Sequence, residues 1–338
     1  MKLSSISKKM KLLSLGAATL LAAGVFTGCG GSQQGASSSS GKTYKVGIVQ
    51  LVEHNALDAA NKGFVDGLKE RGFEEGKNVT FDKQNAQADQ SNLQNIAQRF
   101  VSGKMDLICA IATPAAQTVA NATKDIPIVG TAITDYVGAK LAASNEKPGG
   151  NVTGTSDMNP IKEQIDLLMK LKPEAKTIGV IYCSSEVNSE VQVKAMQEYA
   201  ESKGLTVKVA TISTVNDIQQ AAQSLVGSVD AFYEPTDNVI ASAMPTLVAI
   251  TDAAKLPIIC GEPNMVKAGG LATYGIDYYK LGVQTGHMAA DILEGKSKPA
   301  DMSIELAKDL KITINKADAA RLGITIPEDV LKDADLVE

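Results

Sequence analysis

The residues best suited to chemistry in the first half of the chain are polar and follow short apolar segments. Glu53 and His54 follow the first such segment, and Thr113 follows a later one, where a helix is predicted to begin. Thr134 and Asp135 follow the next. Hydroxyl groups and the free N–H groups at a helix N-terminus bind anions. Thr113 and Thr134 are therefore predicted to hold a carboxylate group, with ordinary helix capping as the alternative.

The second half offers mainly acids and amides at equivalent positions. They are Glu186, Asn188, Tyr233, Glu234, Thr236, Asp237 and Asp277. An acid buried in a closing cleft needs a cation, and the ammonium group of an amino acid supplies one. Asp237, Asp277 or Glu234 is predicted to bind that group. Glu53, His54 and Tyr233 would shape a pocket for the side chain of the ligand. Solvated loops or helix caps remain the alternative for the acids, and a core position for Tyr233.

Sequence motifs of catalysis are absent from the chain. There is no GxSxG nucleophile elbow, no phosphate-binding loop ending in Gly-Lys-Ser/Thr, no HExxH and no GxGxxG fingerprint. The two histidines, His54 and His287, are far apart and give few options for a catalytic triad or a metal site. We therefore predict no catalytic residues, no metal and no cofactor, although a carboxylate-based hydrolase stays open as an alternative.

The elements that must position these residues alternate between short β-branched runs and longer amphipathic stretches. This alternation is typical of parallel sheets covered by helices, an α/β fold. The predicted strands are 45–50, 79–84, 107–111, 126–130, 177–182, 206–211, 231–233, 258–260, 271–274 and 311–315. The clearest predicted helices are 56–71 and 278–293.

The strands form two sets, which predicts two lobes with a cleft between the carboxyl ends of their strands. We assign 44–153 plus 278–307 to the first lobe and 154–277 plus 308–338 to the second. The chain would then cross a hinge between the lobes several times.

The N-terminal segment has the features of a bacterial lipoprotein leader. Lysines precede an apolar stretch from 12 to 26, which is too short to span a membrane, and Thr27 and Gly28 precede Cys29. Cleavage before a lipid-modified Cys29 is predicted, which makes 1–28 a signal peptide and 29–43 a flexible tether. A plain secretory cleavage or an uncleaved anchor is the alternative. The folded part would then be extracytoplasmic and anchored to the cell membrane.

The net charge bears on the binding partner, and the cysteines bear on disulfide formation. The net charge of −5 becomes about −9 once the four leader lysines are removed, which argues against nucleic acid as a partner. Cys109, Cys183 and Cys260 each end an apolar run, so buried thiols are favoured over disulfides.

Several segments along the mature chain resemble the substrate-binding protein family of ABC transporters, including the TrpX-like lipoproteins. They are 52–58 (VEHNALD), 63–64 (GF), 67–68 (GL), 75–79 (EGKNV), 112–117 (ATPAAQ), 149–154 (GGNVTG) and 234–238 (EPTDN). The resemblance implies a type I periplasmic-binding-protein fold, with two Rossmann-like lobes and a hinge of three crossovers. It also implies a monomer that passes an aromatic amino acid (tryptophan, phenylalanine or tyrosine) to an ABC permease and its ATPase. A surface lipoprotein that senses a ligand without transport is the alternative.

Overall fold

The computed structural model describes residues 42–338, so the predicted signal peptide, Cys29 and most of the predicted tether lie outside the described residues. Thirteen strands are present in this part of the chain. They are β1 Tyr44–Gln50, β2 Val79–Asn85, β3 Leu107–Ile111, β4 Ile128–Ile133, β5 Val152–Ser156, β6 Thr177–Cys183, β7 Thr206–Ile212, β8 Ala231–Glu234, β9 Ile258–Cys260, β10 Ala272–Ile276, β11 Glu305–Leu306, β12 Leu310–Asn315 and β13 Ala334–Val337.

Twelve α-helices connect these strands within the described residues. They are α1 Asn55–Glu70, α2 Gln90–Ser102, α3 Thr113–Ala122, α4 Ile161–Leu171, α5 Val187–Ser202, α6 Ile218–Leu225, α7 Asn238–Ser242, α8 Met244–Ala254, α9 Pro263–Lys267, α10 Tyr278–Leu293, α11 Lys316–Leu322 and α12 Glu328–Leu331. Every predicted strand and both predicted helices have an observed counterpart.

The strands form two separate sheets, one in each lobe. The first sheet has the order β11-β5-β4-β3-β1-β2, and the second β13-β12-β10-β9-β8-β6-β7. All pairings are parallel except that of β10 with β12. The chain passes between the sheets three times, after β5, β10 and β11, which agrees with the predicted hinge of three crossovers.

The central strands are buried because helices cover both faces of each sheet. All five residues of β3 (LICAI) are buried, and so are the last five of β1 (VGIVQ). Cys109, Cys183 and Cys260 are buried and unpaired, which confirms the prediction of thiols.

The first boundary of the predicted lobe division falls within a strand of the first sheet. β5 continues in the first sheet to Ser156, whereas the predicted boundary falls at 153. The prediction missed β5 because its sequence (VTGTS) has no run of large apolar residues. The first crossover therefore begins after Ser156, next to residues that line the cleft.

Helices α1 and α10 pack in direct backbone contact within the first lobe. A Cβ atom placed on Gly63 would lie 2.1 Å from the carbonyl oxygen of Tyr279, and one on Gly282 would lie 2.1 Å from that of Ala60. Only glycine permits such an approach. The contact fixes the N-terminus of α1, which follows His54, relative to Tyr278, the first residue of α10 after the second crossover.

Candidate ligand-binding cleft

The carboxyl ends of the two sheets face each other across a small cavity of about 10 Å³. Its polar lining from the first lobe is His54, Thr134, Asp157 and Tyr278. Its polar lining from the second lobe is Asn188, Thr236, Asp237, Asn238 and Glu262. A cavity of this size holds little more than one water molecule. An amino acid would therefore enter only when the lobes move apart or the lining side chains shift.

Asp157 is the acid that the first lobe contributes to the cavity. It follows β5 and is 3% exposed. Its carboxylate accepts hydrogen bonds from the Thr134 hydroxyl at 3.0 Å and from the Tyr278 hydroxyl at 2.6 Å. Burial raises the pKa of Asp157, since the charged form loses its hydration.

Asp237 is the corresponding acid of the second lobe and caps helix α7. One carboxylate oxygen accepts the backbone N–H of Ile240 at 2.9 Å. The other accepts the backbone N–H of Cys183 and the hydroxyl of Ser189, both at 2.7 Å. Burial raises the pKa of Asp237 although these three donors favour its charged form.

Glu186 lies behind the cavity, where α5 and α7 begin. It accepts the backbone N–H groups of Asn238 and Val239, at 3.1 and 3.2 Å. The side-chain amides of Asn188 and Asn238 also donate to it, at 2.9 and 2.6 Å. Burial, and then the nearby charge of Asp237, raise the pKa of Glu186 to about 8.

Glu262 completes the acids of the cavity and caps α9. It accepts the backbone N–H of Asn264 at 2.7 Å and that of Met265 at 2.8 Å. Burial raises the pKa of Glu262 to about 7.

The cavity is rich in acceptors and poor in cations. Within residues 42–338, no lysine or arginine lines it. The side-chain oxygen of Asn188 is buried and has no hydrogen-bond partner in the described part of the chain. A ligand that brings several N–H donors and a positive charge would satisfy both deficits.

Two hydrogen bonds join the lobes directly at the cavity. Nε2 of His54 lies 3.2 Å from Oδ1 of Asn238, and Nε2 of Gln192 donates to the Thr134 hydroxyl at 3.4 Å. The Asn238 amide donates to Glu186, so its oxygen must accept and His54 must donate from Nε2. Burial lowers the pKa of His54, which keeps the ring neutral near pH 7.

Five of the predicted site residues line the cavity together. They are His54, Thr134, Asn188, Thr236 and Asp237. Glu186 lies directly behind them and is bonded to Asn188. Thr113 is the first residue of α3, is buried, and has a hydroxyl without a partner among the described residues, but it does not line the cavity.

Three predicted site residues lie outside the cavity, two of them exposed and Asp135 half-buried. Glu53 is exposed. Asp135 accepts the backbone N–H groups at 137 and 138 and so stabilises a turn. Asp277 is exposed and caps α10 through the N–H of Lys280 at 3.1 Å, so it faces solvent at the second crossover and not the cavity.

Two further predicted residues are buried inside the second lobe. Tyr233 belongs to its hydrophobic core, and the hydroxyl donates to Gln164 at 2.8 Å. Glu234 is fully buried, and neither of its carboxylate oxygens has a partner among the described residues. Consecutive residues of a strand point to opposite faces of a sheet, but both faces of β8 are covered here. Neither residue reaches the cavity.

The sequence interpretation missed Asp157, Tyr278, Asn238 and Glu262 as site residues. Asp157 follows the strand that was not predicted, so no signal placed it at a sheet edge. Glu262 could have been found, because it follows the predicted strand 258–260 just as Asp237 follows 231–233. Tyr278 was assigned to a helix without regard to its position at a crossover.

The described residues contain no group of three or more His, Cys, Asp or Glu side chains arranged to hold a metal ion. None of the helices in that same region is both long enough and apolar enough to cross a membrane.

Comparison with known proteins identifies the class to which this fold and cleft belong. Residues 45–338 match the family described as ABC transporter substrate binding protein, and the chain belongs to this family. More distant amino acid- and sugar-binding proteins share the architecture, which is the type I periplasmic-binding-protein fold. The predicted family and fold are therefore confirmed.

Individual relatives indicate what such clefts hold. A tyrosine-binding protein of Clostridioides difficile is 46% identical over 315 residues, which cover 91% of each chain. A Streptococcus pneumoniae structure in complex with L-Trp is 44% identical, with a TM-score of 0.85 over 88% of this chain and 100% of that one. The ligand-free, open structure of a Clostridium difficile substrate-binding protein with adhesive properties is 47% identical, with a TM-score of 0.68 over 88% and 99%.

The complex with L-Trp and the ligand-free, open structure differ in how well they superpose on this chain. The identities are nearly equal, but the TM-score is higher for the ligand complex than for the open form. The lobes of this chain are thus arranged more like those of the complex, in keeping with the hydrogen bonds that join them at the cavity.

Proposed function

We propose that this protein captures an aromatic amino acid between its lobes and delivers it to an ABC permease with its ATPase. The observation that carries the proposal is the cavity between the lobes, which three buried acids, Asp157, Asp237 and Glu262, line without any lysine or arginine from the described chain. An amino acid supplies the missing ammonium group. Closure on the ligand would shift a pre-existing equilibrium between open and closed forms.

Hydroxyl groups of the first lobe would hold the ligand carboxylate. Thr134 lines the cavity, and the Thr113 hydroxyl is buried without a partner at the N-terminus of α3. The positive end of that helix favours an anion.

An aromatic side chain is the cargo that the relatives favour. One relative is named for tyrosine and another structure holds L-Trp. The apolar lining of this cavity is small or flexible, consisting of Ala56, Leu57, Ala132 and Ala241. Once the lobes move apart, such walls would leave room for a flat ring, and the neutral His54 would contact its edge.

Attachment to the membrane would occur through a lipid on Cys29, with 29–43 as the tether of a monomeric binding protein. The variant Cys29→Ala should move the protein from the membrane fraction to the medium or periplasm. Retention in the membrane at the original level would contradict the anchor without affecting ligand capture.

Calorimetry on the folded domain tests the capture step. After unfolding and refolding to remove copurified ligand, we expect heat with tyrosine, tryptophan or phenylalanine and much less with leucine. Mass spectrometry of the ligand released during unfolding identifies the natural cargo. No heat with any of these amino acids would refute the proposal.

A further inference from the structure

The acids at the cavity form one cluster that spans both lobes. This acid cluster consists of Asp157, Glu186, Asp237 and Glu262, and each residue is at most 3% exposed. Asp157 belongs to the first lobe and the others to the second. Four carboxylates cannot all remain charged in such a setting, because each loses its hydration and the charge of Asp237 also repels that of Glu186.

The charged and titratable groups around the acid cluster do little to neutralise it. The second lobe adds a fifth buried acid, Glu234, and the thiol of Cys183, and the charge of Asp237 acts on both. The first lobe adds only hydroxyls, among them Tyr278, and the neutral His54, which is itself influenced by Asp58. The exposed Lys267, near Glu262, is a basic group that acts on the cluster.

Proton retention is therefore the way in which the closed protein without a ligand limits its buried charge. Burial raises the pKa of each of the four acids, that of Glu262 to about 7 and that of Glu186 to about 8. Near neutral pH, the acid cluster holds a proton that free carboxylic acids would have lost.

We propose that the ammonium group of the ligand replaces a proton held by the acid cluster, so that ligand binding releases a proton to the solvent. The O–H bond of one carboxyl group breaks, the proton passes to water or buffer, and the carboxylate that remains pairs with the ammonium group. The unpartnered oxygen of Asn188 accepts another ammonium hydrogen. This inference rests on the proposed function, since it requires a ligand with a protonated amine.

A defined pH dependence follows from this exchange. The ligand binds the deprotonated cluster, so its affinity should rise with pH until the exchanged proton is already absent. Where one proton is exchanged, the dissociation constant should increase about tenfold for each pH unit below the pKa of the cluster. Capture would thus be tight in neutral or alkaline surroundings and weak in acid ones.

Calorimetry in buffers of different ionisation enthalpy measures the exchange directly. L-Tyrosine and L-tryptophan would be titrated at pH 7 into refolded protein in phosphate, PIPES and Tris. The observed enthalpy should vary linearly with the buffer ionisation enthalpy, and its slope gives the number of protons released. We expect a slope between zero and one proton at pH 7 that decreases at pH 8, where the amine of the ligand still carries its proton.

Matched variants then identify the acid that carries the proton. Glu262→Gln and Glu186→Gln each remove one candidate, and the slope should fall for the one that exchanges its proton. Asp89→Asn is the control, because Asp89 is an exposed cap of α2 outside the cleft and should leave the slope unchanged. If either glutamine variant fails to fold, the buffer series on the unaltered protein still decides the matter.

The possible results separate the two proposals. Tight binding with an enthalpy independent of the buffer would overturn proton exchange and leave amino acid capture intact. The absence of heat with every amino acid would overturn capture and the exchange together. A slope that persists undiminished at pH 8 would also contradict the exchange, because part of the cluster would then be deprotonated before the ligand binds.

Discussion

Asp157 in the first lobe and Asp237 in the second lie in the same cavity, but different kinds of donor hold them. Asp157 accepts two side-chain hydroxyls, from Thr134 and Tyr278. Asp237 accepts two backbone N–H groups and the Ser189 hydroxyl, and it caps α7. Glu262 resembles Asp237, since it caps α9 through backbone donors.

This difference separates the structural role of an acid from its role in binding. Backbone donors exist only in one arrangement of the chain, so the second-lobe acids are part of the folded framework. Hydroxyls can rotate toward other acceptors, so Asp157 can accept a new donor without disturbing the backbone. Substitutions in the two lobes should therefore affect different measurements.

The largest effect on stability is expected for Asp237→Ala. The change removes the cap of α7 and leaves the N–H groups of Cys183 and Ile240 and the hydroxyl of Ser189 without an acceptor. Relief of a buried charge offsets part of this loss, which leaves a net cost of about 3 kcal/mol in the free energy of unfolding. Urea denaturation measures it. An unchanged midpoint would show that Asp237 is not part of the framework.

Asp157→Asn should lower the affinity for the ligand and leave the stability nearly unchanged. The amide keeps the shape of the side chain but loses the charge that faces the ligand ammonium, so affinity for the amino acid should fall about 100-fold. The free energy of unfolding should change by less than about 1 kcal/mol. Calorimetry and urea denaturation on the same preparation check both expectations. A large loss of stability with unaltered affinity would mean that Asp157 has a structural role and does not bind the ligand.

Glu234 is a buried acid of the second lobe that, unlike Asp237, accepts no hydrogen bond from the described residues. Burial, and then the charge of Asp237, raise its pKa well above the ordinary value. The folded chain therefore binds a proton that the unfolded chain loses above about pH 4.3, and stability falls as the pH rises from there toward the raised pKa.

The variant Glu234→Gln removes this titration. The variant should become more stable relative to the parent as the pH rises above 5. The difference in their free energies of unfolding should increase by up to about 1.4 kcal/mol for each pH unit. Denaturation curves from pH 4 to pH 7 measure the trend. A difference that does not vary with pH would mean that Glu234 is already ionised in the folded state.

The sequence was sufficient to predict ten of the thirteen described strands but not the side-chain contacts between elements. Strands such as 107–111 were predictable because a parallel strand buried on both faces is apolar throughout. Asp237 and Asn188 were found because each lies shortly after such a strand. Asp157 was missed because β5 carries no comparable apolar run, and Tyr278 because its hydroxyl meets Asp157 only after the second crossover brings distant segments together. Tyr233 and Glu234 could not be separated from true cleft residues, since strand order and helix cover decide which side chains reach the edge.

Asp277 offers the mildest test, since it also caps a helix that begins at the cleft. Unlike Asp237, it is exposed and accepts a single N–H, that of Lys280. Asp277→Ala should cost about 0.5–1 kcal/mol in the free energy of unfolding. The affinity for the amino acid should stay within about twofold, because solvent and not the ligand surrounds this carboxylate. Calorimetry beside the Asp237 and Asp157 variants provides the measurement. A loss of affinity comparable to that of Asp157→Asn would mean that the ligand reaches beyond the cavity to the second crossover, as the sequence alone had suggested.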